Sequence, residues 1–130
     1  MDASFLMPAL FGAAIAAIGV GLQWLLAKES IAQAAHFALG MILALYIGAR
    51  LASDSLTAVL VESGFAAAML LASLLCLRHW PRGVGILIIG HGIYDQIFAH
   101  DAGMPVWYPP FCLGVDVVLG LGIVALVRPK

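Results

Sequence analysis

The chain has 130 residues, of which 64% are hydrophobic and only 10% charged, with a formal net charge of −1. That balance excludes intrinsic disorder and a water-soluble monomeric globule. A pI near 6.4 without a basic run gives no footing for nucleic acid or for an electrostatic hold on anionic headgroups.

The mean hydropathy of +1.09 arises from long apolar runs separated by short polar knots. This is how a polytopic membrane protein is written, since each span needs about 20 apolar residues. Phe5 to Ala27 is uncharged and holds one amide, Gln23. It is expected to be a retained first span and not a cleaved signal, because Asp2 and no Lys or Arg precede it and the run is too long for a signal core. After the Lys28-Glu29-Ser30 knot comes Ile31 to Gly48, then a polar break from Arg50 to Ser55, then Leu56 to Leu77; these runs are spans two and three. Arg78 to Gly83 makes a short turn around Pro81, because the residue before a proline is pushed out of the helical region. Span four runs from Val84 to about Ala99. The stretch from His100 to Phe111 holds three of the six prolines with Trp107 and Tyr108 and reads as an interfacial loop. Pro110 stands where a helix can begin, since its missing donor would have gone unpaired anyway. Span five then runs to Val127.

The expected fold is therefore all-α: a polytopic membrane helix bundle of five transmembrane helices forming one domain over residues 1–130. Basic residues in short loops stay in the cytoplasm. Lys28, Arg78, Arg82, Arg128 and Lys130 fall on one side and Arg50 on the other. The N terminus is thus expected outside and the C terminus inside, with a bacterial inner membrane as the setting.

A charged side chain at mid-depth in a bilayer costs on the order of 3 kcal/mol or more, so each one has to be explained. At 1.5 Å per residue, Glu62 lies roughly 9 Å below the outer surface in span three, Asp116 at a similar depth in span five, and Asp95 at roughly 6 Å in span four. His91 stands one turn deeper than Asp95 on the same helix face. Small neighbours flank the acids, Ala58 and Ala66 beside Glu62, Cys112 and Gly120 beside Asp116, which suits close helix packing with the acids facing inward. Three carboxylates in one apolar layer cannot all stay ionised without cations among them. Glu62, His91, Asp95 and Asp116 are accordingly the candidate catalytic residues. The same four form a mixed oxygen and nitrogen set that suits zinc, iron or manganese, so the cofactor is either none or a divalent metal. Tyr46, Tyr94, His100, Trp107 and Tyr108 gather near the same rim as candidate substrate contacts, Trp107 and Tyr108 also reading as interfacial anchors.

Other polar and small residues carry plainer readings. His36 lies at about the depth of Gln23 and Trp24, which points to a structural hydrogen bond between neighbouring helices. Gly12, Gly19 and Gly21 serve either close packing or self-association into a homo-oligomer. Cys76 and Cys112 sit near opposite ends of their spans, too far apart for a disulfide.

The stretch from His91 to Gly120 resembles the signature half of an uncharacterised family of small integral membrane proteins, a domain of unknown function. The matching positions are His91, Asp95, His100, Gly103, Pro105, Cys112 and Asp116, with Glu62 answering to an acid in the preceding helix. A single His100 stands where the family pattern carries paired imidazoles. The resemblance implies the same choice of site residues and brings no settled activity.

These residues lead to the expectation of a membrane enzyme acting on a lipophilic small molecule, isoprenoid or sterol-like, by acid/base chemistry of the isomerase, cyclase or epoxide-opening kind. A carboxylic acid kept neutral in an apolar site can donate a proton while a second carboxylate or His91 removes one. Partners are membrane lipid and that small molecule, with no nucleic acid. The alternatives are a metal-binding membrane protein using the same cluster, and a proton or cation translocator or an accessory subunit of a membrane complex. With the acids in the outer half alone and no inverted repeat visible, translocation ranks last.

Overall fold

In hydrocarbon every backbone donor and acceptor must be met within the chain, and each apolar run does so by winding into a helix. A computed structural model describes residues 2–53, 56–98 and 104–127. It contains α1 (Ala3–Ala27), α2 (Ile31–Ser53), α3 (Leu56–His79), α4 (Gly83–Phe98) and α5 (Tyr108–Leu126), with one 3₁₀ turn, Lys28–Ser30, between α1 and α2. Four of them, α1, α2, α3 and α5, are long and apolar enough to cross a membrane; α4, with 16 residues, is shorter. Met7, Phe11, Leu26, Phe37, Met41 and Leu60 lie exposed on the outside of the bundle. A large apolar surface of this kind is costly in water and at home among acyl chains. The protein is thus all-α, with a set of helices compatible with an integral membrane protein.

Two helix ends differ from expectation. Helix α2 continues past Gly48 and takes Arg50 into its last turn, where a cation meets the unpaired carbonyls favourably. Helix α5 begins at Tyr108, so Tyr108 and Pro109 join Pro110 in its first turn and leave the preceding loop; donors are not needed there. Ala99, His100, Gly103, Arg128 and Lys130 lie outside the described residues. With them go the expected end of span four, one candidate substrate contact, two positions of the family pattern and two of the basic residues in the orientation count.

The contacts fix the direction of each helix. Phe11 and Gly12 meet Phe111, Ala9 meets Gly114 and Val20 meets Gly122, so α1 and α5 run parallel. Gly92 meets Asp116, Gly85 meets Gly120, and Arg82 Nε donates to the Val127 carbonyl at 2.8 Å, so α4 runs antiparallel to α5. His36 pairs with Ser73 and Arg50 with Glu62, which makes α2 and α3 antiparallel. Cys76 meets Gly83 and Phe65 stacks on Tyr94, which does the same for α3 and α4. Directions therefore alternate along the chain. One end of the bundle gathers the starts of α1, α3 and α5 with the ends of α2 and α4.

Leu39, Leu43, Val84, Ile88 and Ile123 fill the middle of the bundle. Glycine sets how closely the helices approach: a Cβ on Gly114 would strike the Ala9 carbonyl, and one on Gly12 the Phe111 carbonyl. Small residues bring membrane helices together in this way. Of the three α1 glycines only Gly12 is used so, whereas Gly19 and Gly21 face open space. At the end away from Arg50, His36 Nδ1 and Ser73 Oγ share a 2.9 Å hydrogen bond. This pairing joins α2 to α3, while the Gln23 amide turns to its own chain, donating to Ala27 O and Ser30 Oγ. Cys76 and Cys112 are both free thiols.

Candidate functional site: a buried imidazole between two carboxylates

Helix α4 buries Val84, Gly85, Ile88, His91, Gly92 and Asp95, a stripe at helical spacing. Helix α5 buries Cys112, Asp116, Gly120 and Ile123, one residue per turn. Where the stripes meet, a Cβ on Gly92 would stand 2.8 Å from the Asp116 Cβ, so only a glycine admits the aspartate there. His91 Nδ1 then lies 2.9 Å from Asp116 Oδ2, while Nε2 points down its own helix to Asp95 Oδ1 at 3.6 Å. The three side chains are 0%, 0% and 1% exposed for His91, Asp95 and Asp116, and one ligand atom from each falls within 4.8 Å of the others.

Tyr46 of α2 covers this trio. It is buried, and its ring stands edge-on to His91 at 5.7 Å between centroids. Its hydroxyl is close to Asp95 but short of hydrogen-bond geometry. Tyr108 packs on Tyr46 at 6.1 Å, and Trp107, half exposed, stands T-shaped on Tyr108 at 5.7 Å. These aromatic rings form a column from the rim of the bundle down to His91.

Glu62 stands beside the trio and not within it. The Tyr94 hydroxyl donates to its Oε2 at 3.2 Å, and Arg50 Nε approaches the same oxygen at 3.8 Å. Tyr94 is held in turn between Phe65, stacked at 4.2 Å, and Phe98 at 4.7 Å. Of the four candidate catalytic residues, then, three converge, and the fourth is paired with a cation from α2. Of the candidate substrate contacts, Tyr46 touches the trio, Tyr108 backs it, Tyr94 belongs to the Glu62 pair, Trp107 sits on the rim and His100 is outside the described residues. Arg50 is expected to offset part of the acids' charge, but neither its pairing with Glu62 in particular nor the bond across helices from His91 to Asp116 can be read from the sequence. The one local signal for the second was Gly92, a residue without a side chain next to His91.

The hydrogen bonds around the trio do not close. His91 Nε2, both Asp95 oxygens, Asp116 Oδ1 and the Tyr46 hydroxyl are buried without a hydrogen-bond partner among the described residues. A neutral imidazole has one N–H and one lone pair. Facing two carboxylates, it can satisfy only one of them unless a further proton or another cation joins the group. The arrangement can therefore hold and pass a proton, or hold a metal through its mixed nitrogen and oxygen donors.

Fold and cluster together define a small helical protein of membrane type with a carboxylate-imidazole-carboxylate group in its core. No family model, curated protein or solved structure significantly matches the chain, so its chemistry is read from the geometry.

Proposed function

We propose that the protein is an integral membrane enzyme of the bacterial inner membrane that isomerises, cyclises or opens the epoxide of a lipophilic small molecule, isoprenoid or sterol-like, by acid/base chemistry at His91, Asp95 and Asp116. In this reading all five helices span, the N terminus is outside, and the trio faces the extracytoplasmic side. The alternating helix directions support an odd number of crossings. So does the placing of Arg78 and Arg82 at the end opposite Arg50.

The observation that carries the chemistry is the imidazole bridging two buried carboxylates on different helices. One carboxylic acid gives a proton to an alkene carbon or to an epoxide oxygen as its C–O bond breaks, and the partner carboxylate takes a proton from a neighbouring carbon. His91 joins the two, so the proton removed at one end returns through the ring to the other, and the reaction closes with no net gain or loss. Glu62 and Arg50 set the field beside the trio. Tyr46, Tyr108 and Trp107 line the approach from the rim, and Tyr94 flanks it. The resemblance to the uncharacterised membrane family concerns the same positions and stays part of the proposal.

Exchange with heavy water tests it. Full-length protein in lipid nanodiscs made from a bacterial total lipid extract, incubated in D₂O, is expected to place deuterium on carbon in a lipid species detectable by mass spectrometry. Asp95→Asn and Asp116→Asn are expected to abolish that uptake while the protein still inserts and purifies. Full uptake in both variants would reject the assignment.

A further inference from the structure

We infer that the gap between His91 Nε2 and the Asp95 carboxylate is a binding site for one divalent transition-metal ion, with Asp116 orienting the imidazole from its other nitrogen. The inference deepens the reading of the same site and rests on its geometry, not on its reaction.

In the tautomer with its proton on Nδ1, His91 donates to Asp116 Oδ2 across 2.9 Å, which leaves the Nε2 lone pair directed at Asp95. Two lone pairs then confront one another at 3.6 Å in a buried setting, an arrangement that a cation between them turns from repulsion to bonding. The spacing suits this. With bonds of about 2.1 Å to nitrogen and oxygen, the ligand-to-ligand edge of a tetrahedral zinc site is roughly 3.4 Å. A carboxylate on the far nitrogen of a metal-bound histidine is the usual way its tautomer and orientation are held. The Tyr46 hydroxyl, buried and unpartnered, stands at the edge of the gap as a further oxygen donor.

Charge points the same way. Arg50 already faces Glu62, so the uncompensated charges of the layer are those of Asp95 and Asp116. A divalent ion brings that sum to zero, which an apolar surrounding demands. One imidazole nitrogen among oxygen donors suits zinc, manganese or iron, whereas calcium and magnesium take all-oxygen sets. So few protein ligands leave coordination positions open, the mark of a reactive ion.

Metal binding is read directly on full-length protein in detergent, stripped with chelator, reloaded with Zn²⁺ alone or with Co²⁺ as a coloured probe, and desalted. One zinc per chain is expected by elemental analysis, with visible Co²⁺ bands that Zn²⁺ displaces. His91→Ala and Asp95→Asn lose the ion, Asp116→Asn weakens zinc binding by about 10- to 100-fold, and Ser73→Ala, at the far end of the bundle, leaves it unchanged. Should a variant fail to fold, the zinc-edge X-ray absorption spectrum of the unaltered protein decides: a single imidazole among oxygen ligands is expected. No retained metal, retention unchanged in His91→Ala, or a zinc shell without imidazole would overturn the inference. Deuterium uptake by a protein that retains no metal on reloading would overturn it while leaving metal-free acid/base chemistry standing. Bound metal without any uptake in the loaded protein would do the reverse.

Discussion

His91 and Asp116 are 25 residues apart in the chain, yet Nδ1 of the first lies 2.9 Å from Oδ2 of the second. Gly92, next to the histidine, is what permits the approach. Gly92→Ala is therefore expected to destabilise the protein by about 1–3 kcal/mol through overpacking and to separate the pair. Gly90→Ala, on the same helix with nothing in reach of its new methyl, is expected to be neutral or to gain up to about 1 kcal/mol from helix propensity. Thermal unfolding of the two variants side by side, with ¹⁵N spectra of the imidazole, checks both outcomes.

Removal of Arg50 leaves the buried Glu62 carboxylate without the cation it faces. Arg50→Met is expected to cost about 3–5 kcal/mol, the range for breaking a buried ion pair. Arg50→Met combined with Glu62→Leu is expected to recover most of that loss, since an apolar pair of similar size is often as stable as the ionic one. Reversible unfolding in mixed micelles gives the coupling energy. Additive losses in the double variant would show that the two side chains do not act as a pair.

The far end of the bundle offers a contrast. His36 and Ser73 join α2 to α3 by a single neutral hydrogen bond, and such bonds average about 0.6 kcal/mol in membrane proteins. Ser73→Ala is expected to lower stability by about that amount and to leave deuterium uptake unchanged. Loss of uptake in a normally stable Ser73→Ala protein would place the dyad in the chemistry.

Alternating helix directions make a topological prediction. In a background with Cys76 and Cys112 replaced by Ala, Ser4→Cys is expected to react with an impermeant maleimide in intact cells. His79→Cys is expected to react only after permeabilisation. Labelling of both from one side would remove the five-span reading.

Much of the bundle was legible because a membrane helix is dictated by its own composition. Each run from Phe5, Ile31 and Leu56 onward is apolar for long enough that only a helix satisfies its backbone. Helix ends were less legible, since they depend on partners elsewhere. Arg50 reads as a loop residue until Glu62 of α3 is seen opposite it, and Pro109 reads as a loop residue until it is counted into a first turn. The site shows the same division. The spacing from His91 to Asp95 is local and visible at four residues, whereas the bond from His91 to Asp116 depends on the antiparallel register of α4 and α5. That register is set by Gly85, Gly92 and Gly120, whose meaning is steric and appears only when the facing helix is in place. Glu62 was placed by its depth, but depth alone does not say which side chain a residue meets around the bundle.

The seam between α4 and α5 unites two duties that most proteins keep apart. Its glycines hold the helices together, and the same close approach brings the ionisable groups into register. A substitution that loosens the joint therefore misaligns His91 and Asp116, and one that enlarges a side chain at their meeting point pries the joint open. Helix packing and the alignment of the ionisable trio cannot be tuned separately, and attempts to harden the molecule should leave this seam alone and begin instead at the exposed positions of α1 and α3.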